Sequence, residues 1–357
     1  MYKLIRPLLF KLDPESAHQK MLKLCAFVNG VGLTGVVSSI YNFQNPKLET
    51  EIFGIKFKNP VGLAAGFDKE AKLVDFLPAL GFGHLQVGDI SFLPWPGSPK
   101  PRLFRLPEDN ALINRMGQNN LGAYAIAVKL KSKRLPVPLC VSVVKTPDLN
   151  IMGDKAVGDF VSGFKRLYPV GQLSVINVSC PNTAEGKTFE DPGALNILLD
   201  EIEKAKATIG LQKPILVKIS PDVTFEELDK ILEVCEAHKI DGYILTNTSK
   251  ARDGLKNTTS FVPWGGMSGR PLRQKATELV RHAYKKLKRP CIIGLGGIDS
   301  AETAYERIKA GASLIQLYTG LIYEGPGLVK KINQGLVKLL ERDGFKNISE
   351  VVGVEAK

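Results

Sequence analysis

From residue 49 onward, short apolar runs alternate with stretches whose apolar residues recur every three to four positions. The runs at 61–65, 84–87, 139–144, 174–178, 215–219, 243–245, 292–295 and 313–317 are short, apolar and β-rich, the signature of strands buried on both faces. Between and after them the helical spacing predicts helices near 70–80, 119–132, 155–168, 192–208, 224–238, 272–288, 301–310 and 326–342. Eight buried strands, each followed by a helix, predict an α/β fold of the (β/α)8 TIM barrel type rather than an open doubly wound sheet. A small hairpin is expected just before it, with strands at 49–52 and 55–57 around Gly54.

The first forty residues follow another pattern. Leu4, Ile5, Leu8, Leu9 and Leu12 alternate with Lys3, Arg6 and Lys11. Asp13-Pro14-Glu15 then reads as a helix start, with Asp as N-cap, Pro in the first helical position and an acid in the first turn. Ala17, Met21, Leu24, Cys25 and Val28 continue at helical spacing until Gly30. Two short amphipathic helices with basic flanks can pack on their own domain or lie on an anionic membrane, and the pattern alone leaves both open. The expected division is therefore 1–40, a helical extension, and 41–357, the barrel.

Two connections are unusually long. Residues 89–118 are Pro-rich and hold a hairpin pattern around Pro107-Glu108-Asp109-Asn110, and residues 247–271 carry Gly265-Gly266 and Ser268-Gly269. Both leave from strand C-termini, where barrels of this type keep their chemistry, and loops of such length are usually functional.

Composition adds little until charge is counted. Against 36 Asp and Glu stand 48 Lys and Arg, a net charge of +12 that favours an anionic ligand or surface. No basic–aromatic stripe accompanies it, so nucleic acid is not expected as a partner. The five cysteines, at 25, 140, 180, 235 and 291, form no C-x-x-C pair and keep no ligand spacing with the four histidines, so neither a disulfide framework nor a metal site is expected. Neither a signal-peptide pattern nor an apolar run of spanning length is visible.

Candidate chemistry collects just past the strands. The strand exits carry Ala65-Gly66-Phe67-Asp68-Lys69, Gly88-Asp89, Ser142 with Lys145, Asn177-Val178-Ser179-Cys180-Pro181-Asn182, Lys218, Thr246-Asn247-Thr248, Gly296-Gly297 and Tyr318-Thr319-Gly320. Lys218, inside the apolar run Leu216-Val217-Lys218-Ile219, is costly to bury unless it meets an anion or loses its charge. Glycines after the last two strands offer bare backbone N–H groups where barrels commonly hold a phosphate. Gly294-x-Gly296-Gly297 does not complete a dinucleotide motif. Several asparagines at one mouth, with Asn114 able to close over it, suit the alternating donors and acceptors of a pyrimidine-like ring. Cys180, amid polar neighbours, is a candidate base or nucleophile, whereas the other four cysteines lie on apolar stretches. These residues leave two chemistries open, a flavin redox enzyme and a Schiff-base aldolase working through Lys218.

The ordered motifs resemble the quinone-dependent (class 2) dihydroorotate dehydrogenase family along nearly the whole chain. They run from Asp13-Pro14-Glu15-Ser16-Ala17-His18 to Gly344-Phe345. The specific stretches are Gly62-Leu63-Ala64-Ala65-Gly66-Phe67-Asp68-Lys69, Lys100-Pro101-Arg102-Leu103-Phe104-Arg105-Leu106, Ile113-Asn114-Arg115-Met116-Gly117, Thr246-Asn247-Thr248, Gly266-Met267-Ser268-Gly269-Arg270-Pro271-Leu272 and Ala310-Gly311-Ala312-Ser313-Leu314. The resemblance implies an FMN-containing barrel that oxidises dihydroorotate to orotate in pyrimidine synthesis and passes electrons to a membrane quinone.

Carried over by motif, Ala65, Gly66, Lys69, Asp89, Ser142, Asn177, Lys218, Thr246, Gly269, Gly297, Tyr318 and Thr319 would contact FMN. Lys69, Asn114, Arg115, Met116, Gly117, Gln118, Asn177, Asn182, Asn247 and Thr248 would hold the substrate, with Cys180, Lys69 and Lys218 as catalytic residues. The N-terminal helices would admit the quinone past His18 and Arg105. Peripheral attachment to the cytoplasmic face of a bacterial membrane and a monomeric state are expected with it.

Departures from the family pattern concentrate around the flavin ring and substrate. Cys180 stands where class 2 members usually carry serine and resembles the soluble class 1 enzymes; Asp89 replaces a small hydroxyl residue. Ser142 stands for an asparagine, Val143-Val144 for an Ile-Gly or Leu-Gly pair, and Gln118 for a phenylalanine; Ala184-Glu185-Gly186-Lys187 lacks the usual Gly-Leu-Arg. The alternative to a working dehydrogenase is a divergent flavin-binding member with another substrate or no catalysis.

Overall fold

Residues 2–179, 189–256, 262 and 264–356 are described by the computed structural model. The chain opens with α1 (Tyr2–Lys11), α2 (Pro14–Gly30) and α3 (Thr34–Tyr41), then the hairpin β1 (Thr50–Ile52) and β2 (Ile55–Phe57). β3 (Val61–Leu63) and β4 (His84–Ile90) follow, then β5 (Leu103–Leu106), β6 (Ala111–Asn114) and α4 (Gly122–Lys131). Next come β7 (Leu139–Val143), α5 (Asp154–Leu167), β8 (Leu173–Asn177), α6 (Pro192–Ile209), β9 (Ile215–Ile219), α7 (Phe225–Ala237) and β10 (Gly242–Leu245). The chain continues through β11 (Gly266–Gly269), α8 (Arg273–Lys286), β12 (Ile292–Leu295), α9 (Ala301–Lys309), β13 (Leu314–Leu317), α10 (Thr319–Glu324) and α11 (Leu328–Asp343).

Eight strands close into a parallel barrel in the order β3-β4-β7-β8-β9-β10-β12-β13, as the apolar runs predict. Inward positions alternate along each strand, and Cys140, Leu173, Val175, Leu216, Ile244, Ile293 and Leu314 fill the lower interior. Phe57, from the β1–β2 hairpin, plugs that end. Among the described residues this floor is packed, and the open end of the barrel is its C-terminal mouth. Cys140 and Cys291 are buried in this fabric, and burial pushes both thiols up to about 12, so they are inert packing groups at neutral pH.

Three expectations need correction. The stretch at 70–80 forms no α-helix, only a short 3₁₀ turn at Leu77–Leu80. There the Asp68 carboxylate accepts the N–H groups of Lys72 and Leu73, and Pro78 interrupts any continuation. The N-terminal extension holds three helices rather than two, because α3 follows the turn after Gly30. Lastly, β5 and β6 pair as expected but gain a third antiparallel strand, β11, contributed by the long connection after β10. Met267 then faces Ile113 in register, and a short apolar cluster with Leu106, Ala111 and Leu272 holds this small sheet over one side of the mouth.

α2 starts as the sequence requires, with the Asp13 side chain accepting the Ser16 N–H at 2.8 Å and Pro14 in the first turn. Glu15 then leaves its helix to meet Arg102 beside β5, at 2.8 and 3.1 Å. Both side chains are buried, so the pair anchors α2 against the small sheet. Arg105, in β5, adds a second tie by donating to the carbonyls of Phe10 and Leu12.

Candidate functional site

The barrel mouth opens into one deep cleft with about 1490 Å³ of space outside protein atoms, open solvent included. Its walls come from the ends of β3, β4, β9, β10, β12 and β13, from the small sheet, and from α2 through Glu15, His18, Gln19 and Leu22. The residue types singled out at the strand ends are therefore largely brought together.

Two lysines face this space. Lys69 follows the turn fixed by Asp68, and its ammonium donates to Asn119 Oδ1 at 3.0 Å. Lys218 projects inward from β9 and is 4% exposed, with no hydrogen-bonding or ionic partner among the described residues. A buried cation facing a cavity without an acid of its own is an unfilled requirement for an electron-rich ligand. The third lysine of the sequence reading, Lys145, turns away to the carbonyls of Asp148 and Ile151 and does not line the cleft.

At the far end Gly269, Gly296, Gly297, Thr319 and Gly320 border the space, and the hydroxyls of Ser268 and Thr319 lie 2.8 Å apart. A side chain at Gly269 would meet the Asn110 carbonyl at 2.4 Å, and one at Gly297 the Arg273 backbone at 2.7 Å, so bare backbone is required at both positions. Arg307, wholly buried, donates to the carbonyls of Leu295 and Gly296 at 3.0 and 2.9 Å. It fixes the loop after β12 from behind. Desolvation lowers its pKa to about 10, still far above neutrality.

Amides gather at the ends of β8 and β10, with Asn247 on the cleft wall and Asn177 buried behind it, outside the lining. Asn177 Oδ1 accepts from the Ser179 amide and hydroxyl and from Asn247 Nδ2, while Asn247 Oδ1 accepts the Thr248 N–H. The Asn177 Nδ2 group has no partner among the described residues. Asn114 donates to the Gly266 carbonyl at 3.2 Å and lines the cleft with Met116 and Gln118. Asp89 also borders the space and accepts the Ser142 hydroxyl, which lies just behind it.

Other site residues of the sequence reading stand elsewhere. The Arg115 guanidinium donates to the Pro101 carbonyl and lies over the rings of Phe104 and Trp264, at 5.1 and 4.7 Å, outside the cleft lining. Gly117 shapes the turn against Ser98 and does not line the space either. Arg105 is engaged with α1, whereas His18 lines the cleft, its Nε2 3.0 Å from the Phe67 carbonyl. A carbonyl can only accept, so Nε2 carries the proton in that contact, and burial holds the His18 pKa below its usual value. Cys180, Asn182 and the stretch 184–187 lie outside the described residues.

The fit to a flavin rests on unmet polar groups. Lys218, Asn177 Nδ2 and the Gln316 side-chain amide are buried and unpartnered, with Lys218 and Gln316 on the cleft wall. Together they suit a flat ring rich in N–H and C=O groups, and the glycine-bordered end suits its phosphate tail.

Residues 47–340 match the protein-family model described as dihydroorotate dehydrogenase. The chain belongs to the dihydroorotate dehydrogenase family. A protein of Natronomonas pharaonis named dihydroorotate dehydrogenase (quinone) is 42% identical over 355 residues, covering 99% of both chains. One of the same name from Christiangramia forsetii is 46% identical over 348 residues, covering 96% of this chain and 99% of its own. A crystal structure of ligand-free DHODH from Eimeria tenella superimposes with a TM-score of 0.86 at 33% identity, covering 97% of this chain and 100% of that one.

Within this dehydrogenase frame, three residues facing or shaping the site escaped the sequence reading. Asn119 receives the Lys69 ammonium, Gln316 sits on the cleft wall, and Arg307 holds the glycine loop. The rule that flagged Lys218, a polar side chain inside an apolar strand, applies equally to Leu314-Ile315-Gln316-Leu317.

Proposed function

We propose that the cleft binds FMN across the barrel mouth, next to a dihydroorotate site walled by Lys69, Asn114, Gln118, Asn177, Asn247 and Thr248. The enzyme oxidises dihydroorotate to orotate in pyrimidine biosynthesis, using a flavin and passing electrons to a quinone. The observation that carries the residue assignment is Lys218, buried and unpaired at the same mouth as the amide cluster.

The bound flavin supplies the acceptor for the hydride that leaves substrate C6. Everything else falls to the chain. Lys218 places positive charge where the ring gains electron density, and Lys69 faces the substrate carboxylate. Asn177 and Asn247, each orienting the other, present amide donors and acceptors to the substrate ring. Cys180 takes the C5 proton as general base. The turn of Gly296 and Gly297 with Thr319 grips the phosphate, and α2 covers the cleft on the quinone side with His18 and Leu22.

No single described helix is long and apolar enough to cross a membrane. Leu4, Leu8, Leu24, Phe27, Val36 and Ile40 on α1–α3 are exposed, with Lys3, Lys11, Lys20 and Lys23 beside them. This surface supports peripheral attachment to an anionic membrane, where quinone resides.

The decisive experiment is anaerobic titration of the purified yellow protein with dihydroorotate. Full bleaching of the flavin band is expected. A flavin that stays oxidised under excess dihydroorotate would overturn the activity of this site and favour a divergent flavin-binding protein.

A further inference from the structure

Gln118 is 5% exposed and lines the cleft, yet among the described residues neither its Nε2 nor its Oε1 has a hydrogen-bond partner. Leaving both ends of a buried carboxamide unmet costs on the order of 1–3 kcal/mol per group, so a native site keeps such a group only where something else satisfies it.

The backbone beneath it is fixed with unusual care. Gln118 adopts φ +56°, left-handed for a residue with a side chain, directly after Gly117 at φ +66°. Asn120 Nδ2 donates to the Gln118 carbonyl at 2.7 Å and also to Ser91 Oγ at 2.8 Å. Asn120 Oδ1 receives the Gly122 N–H at 2.8 Å, and Ser98 N–H holds the Met116 carbonyl at 3.0 Å. Strained backbone that its surroundings over-determine is a mark of a positioned functional group. Here the main chain is locked while the amide it carries is left unmet.

We propose that Gln118 is a specificity residue that reads a ring amide of the substrate, accepting its N–H and donating to the adjacent C=O. This rests on the assignment of the cleft as a dihydroorotate site. A carboxylate offers acceptors only and would leave Oε1 unmet, whereas a cyclic amide edge satisfies both ends of Gln118 at once. Lys69, next to Asn119, remains for the carboxylate.

The test is Gln118→Leu, similar in size and apolar, with Gln118→Met as a second, more pliant replacement. In the substrate-free holoenzyme both variants should retain flavin, and Tm should hold or rise because an unmet buried amide has gone. Orotate affinity by calorimetry should weaken about tenfold, and KM for dihydroorotate should rise by a similar factor with a smaller change in kcat. Wild-type preference for orotate over a ring-N-methylated orotate should shrink about tenfold in Gln118→Leu.

Unchanged orotate affinity in both variants would overturn the proposal. So would loss of flavin with substrate affinity intact, which would make Gln118 a cofactor contact. If dihydroorotate fails to bleach the wild type, the reaction assignment falls, while orotate calorimetry still decides the role of Gln118.

Discussion

The Ser142 hydroxyl donates to the Asp89 carboxylate, joining the ends of β7 and β4 at the edge of the cleft. Two positions that the sequence resemblance marks as departures thus meet as one pair: the acid at one position is oriented by the hydroxyl at the other. A held negative charge beside a ring that accepts electrons disfavours the reduced ring. Asp89→Asn should therefore raise the flavin midpoint potential, by about 20–40 mV for a charge effect of roughly 1–2 kcal/mol on a two-electron couple. Ser142→Ala should lower it slightly by exposing the full carboxylate charge. Potentiometric titration with redox dyes reads both, and an unmoved potential in Asp89→Asn would place the charge too far away to matter.

Lys218 invites the opposite substitution. Lys218→Met removes a buried charge with no acid to meet it, so flavin-free protein should melt at a higher temperature than the wild type. The same change should weaken flavin retention by at least tenfold on dialysis, because the cleft loses a buried cation. A drop in Tm together with normal flavin content would contradict this account.

The Glu15–Arg102 pair holds α2 to the small sheet, and Arg102 keeps the Glu15 carboxyl below its ordinary value near 4.5. A depressed carboxyl stabilises the fold fully above its unfolded pKa, and that contribution disappears as pH falls through the lower folded value. Thermal melts should thus show a loss below about pH 4.5 that Glu15→Gln no longer shows in full. At pH 7 Glu15→Gln should cost about 3–5 kcal/mol, the usual penalty for orphaning a buried charge. Proteolysis after α2 should accelerate with it.

Cys180→Ala should keep flavin but slow anaerobic bleaching by dihydroorotate about 10²–10⁴-fold, the ordinary worth of a general base. Stopped-flow reduction is the direct measurement. A rate equal to that of the wild type would remove Cys180 from proton transfer.

The barrel was legible because strands buried on both faces write themselves as unbroken apolar runs, and 215–219 matches β9 to the residue. β11 was hidden because Gly266-Met267-Ser268-Gly269 has no strand propensity; it is extended because Met267 pairs with Ile113 and, through the backbone, with Ser249. The stretch at 70–80 had helical spacing, but the Asp68 side chain bonds locally and wins over the helix. Within the site, lysines and asparagines at strand exits announced themselves by type. Gln118 was legible as a substrate position by motif and as a departure by type, but its unmet amide was not, since the absence of a partner for a side chain is a property of packing and not of sequence.

Phe67 takes the His18 contact on its carbonyl, and its ring lies edge-on to both His18 and Tyr318, two residues before Lys69. On the proposed assignment, one doorpost thus serves two rooms, the quinone side under α2 and the substrate side beyond the loop. A compound wedged against His18 pushes on the peptide that aims the Lys69 ammonium. Its inhibition should carry a component against dihydroorotate as well as against quinone, although it touches only the latter's entrance.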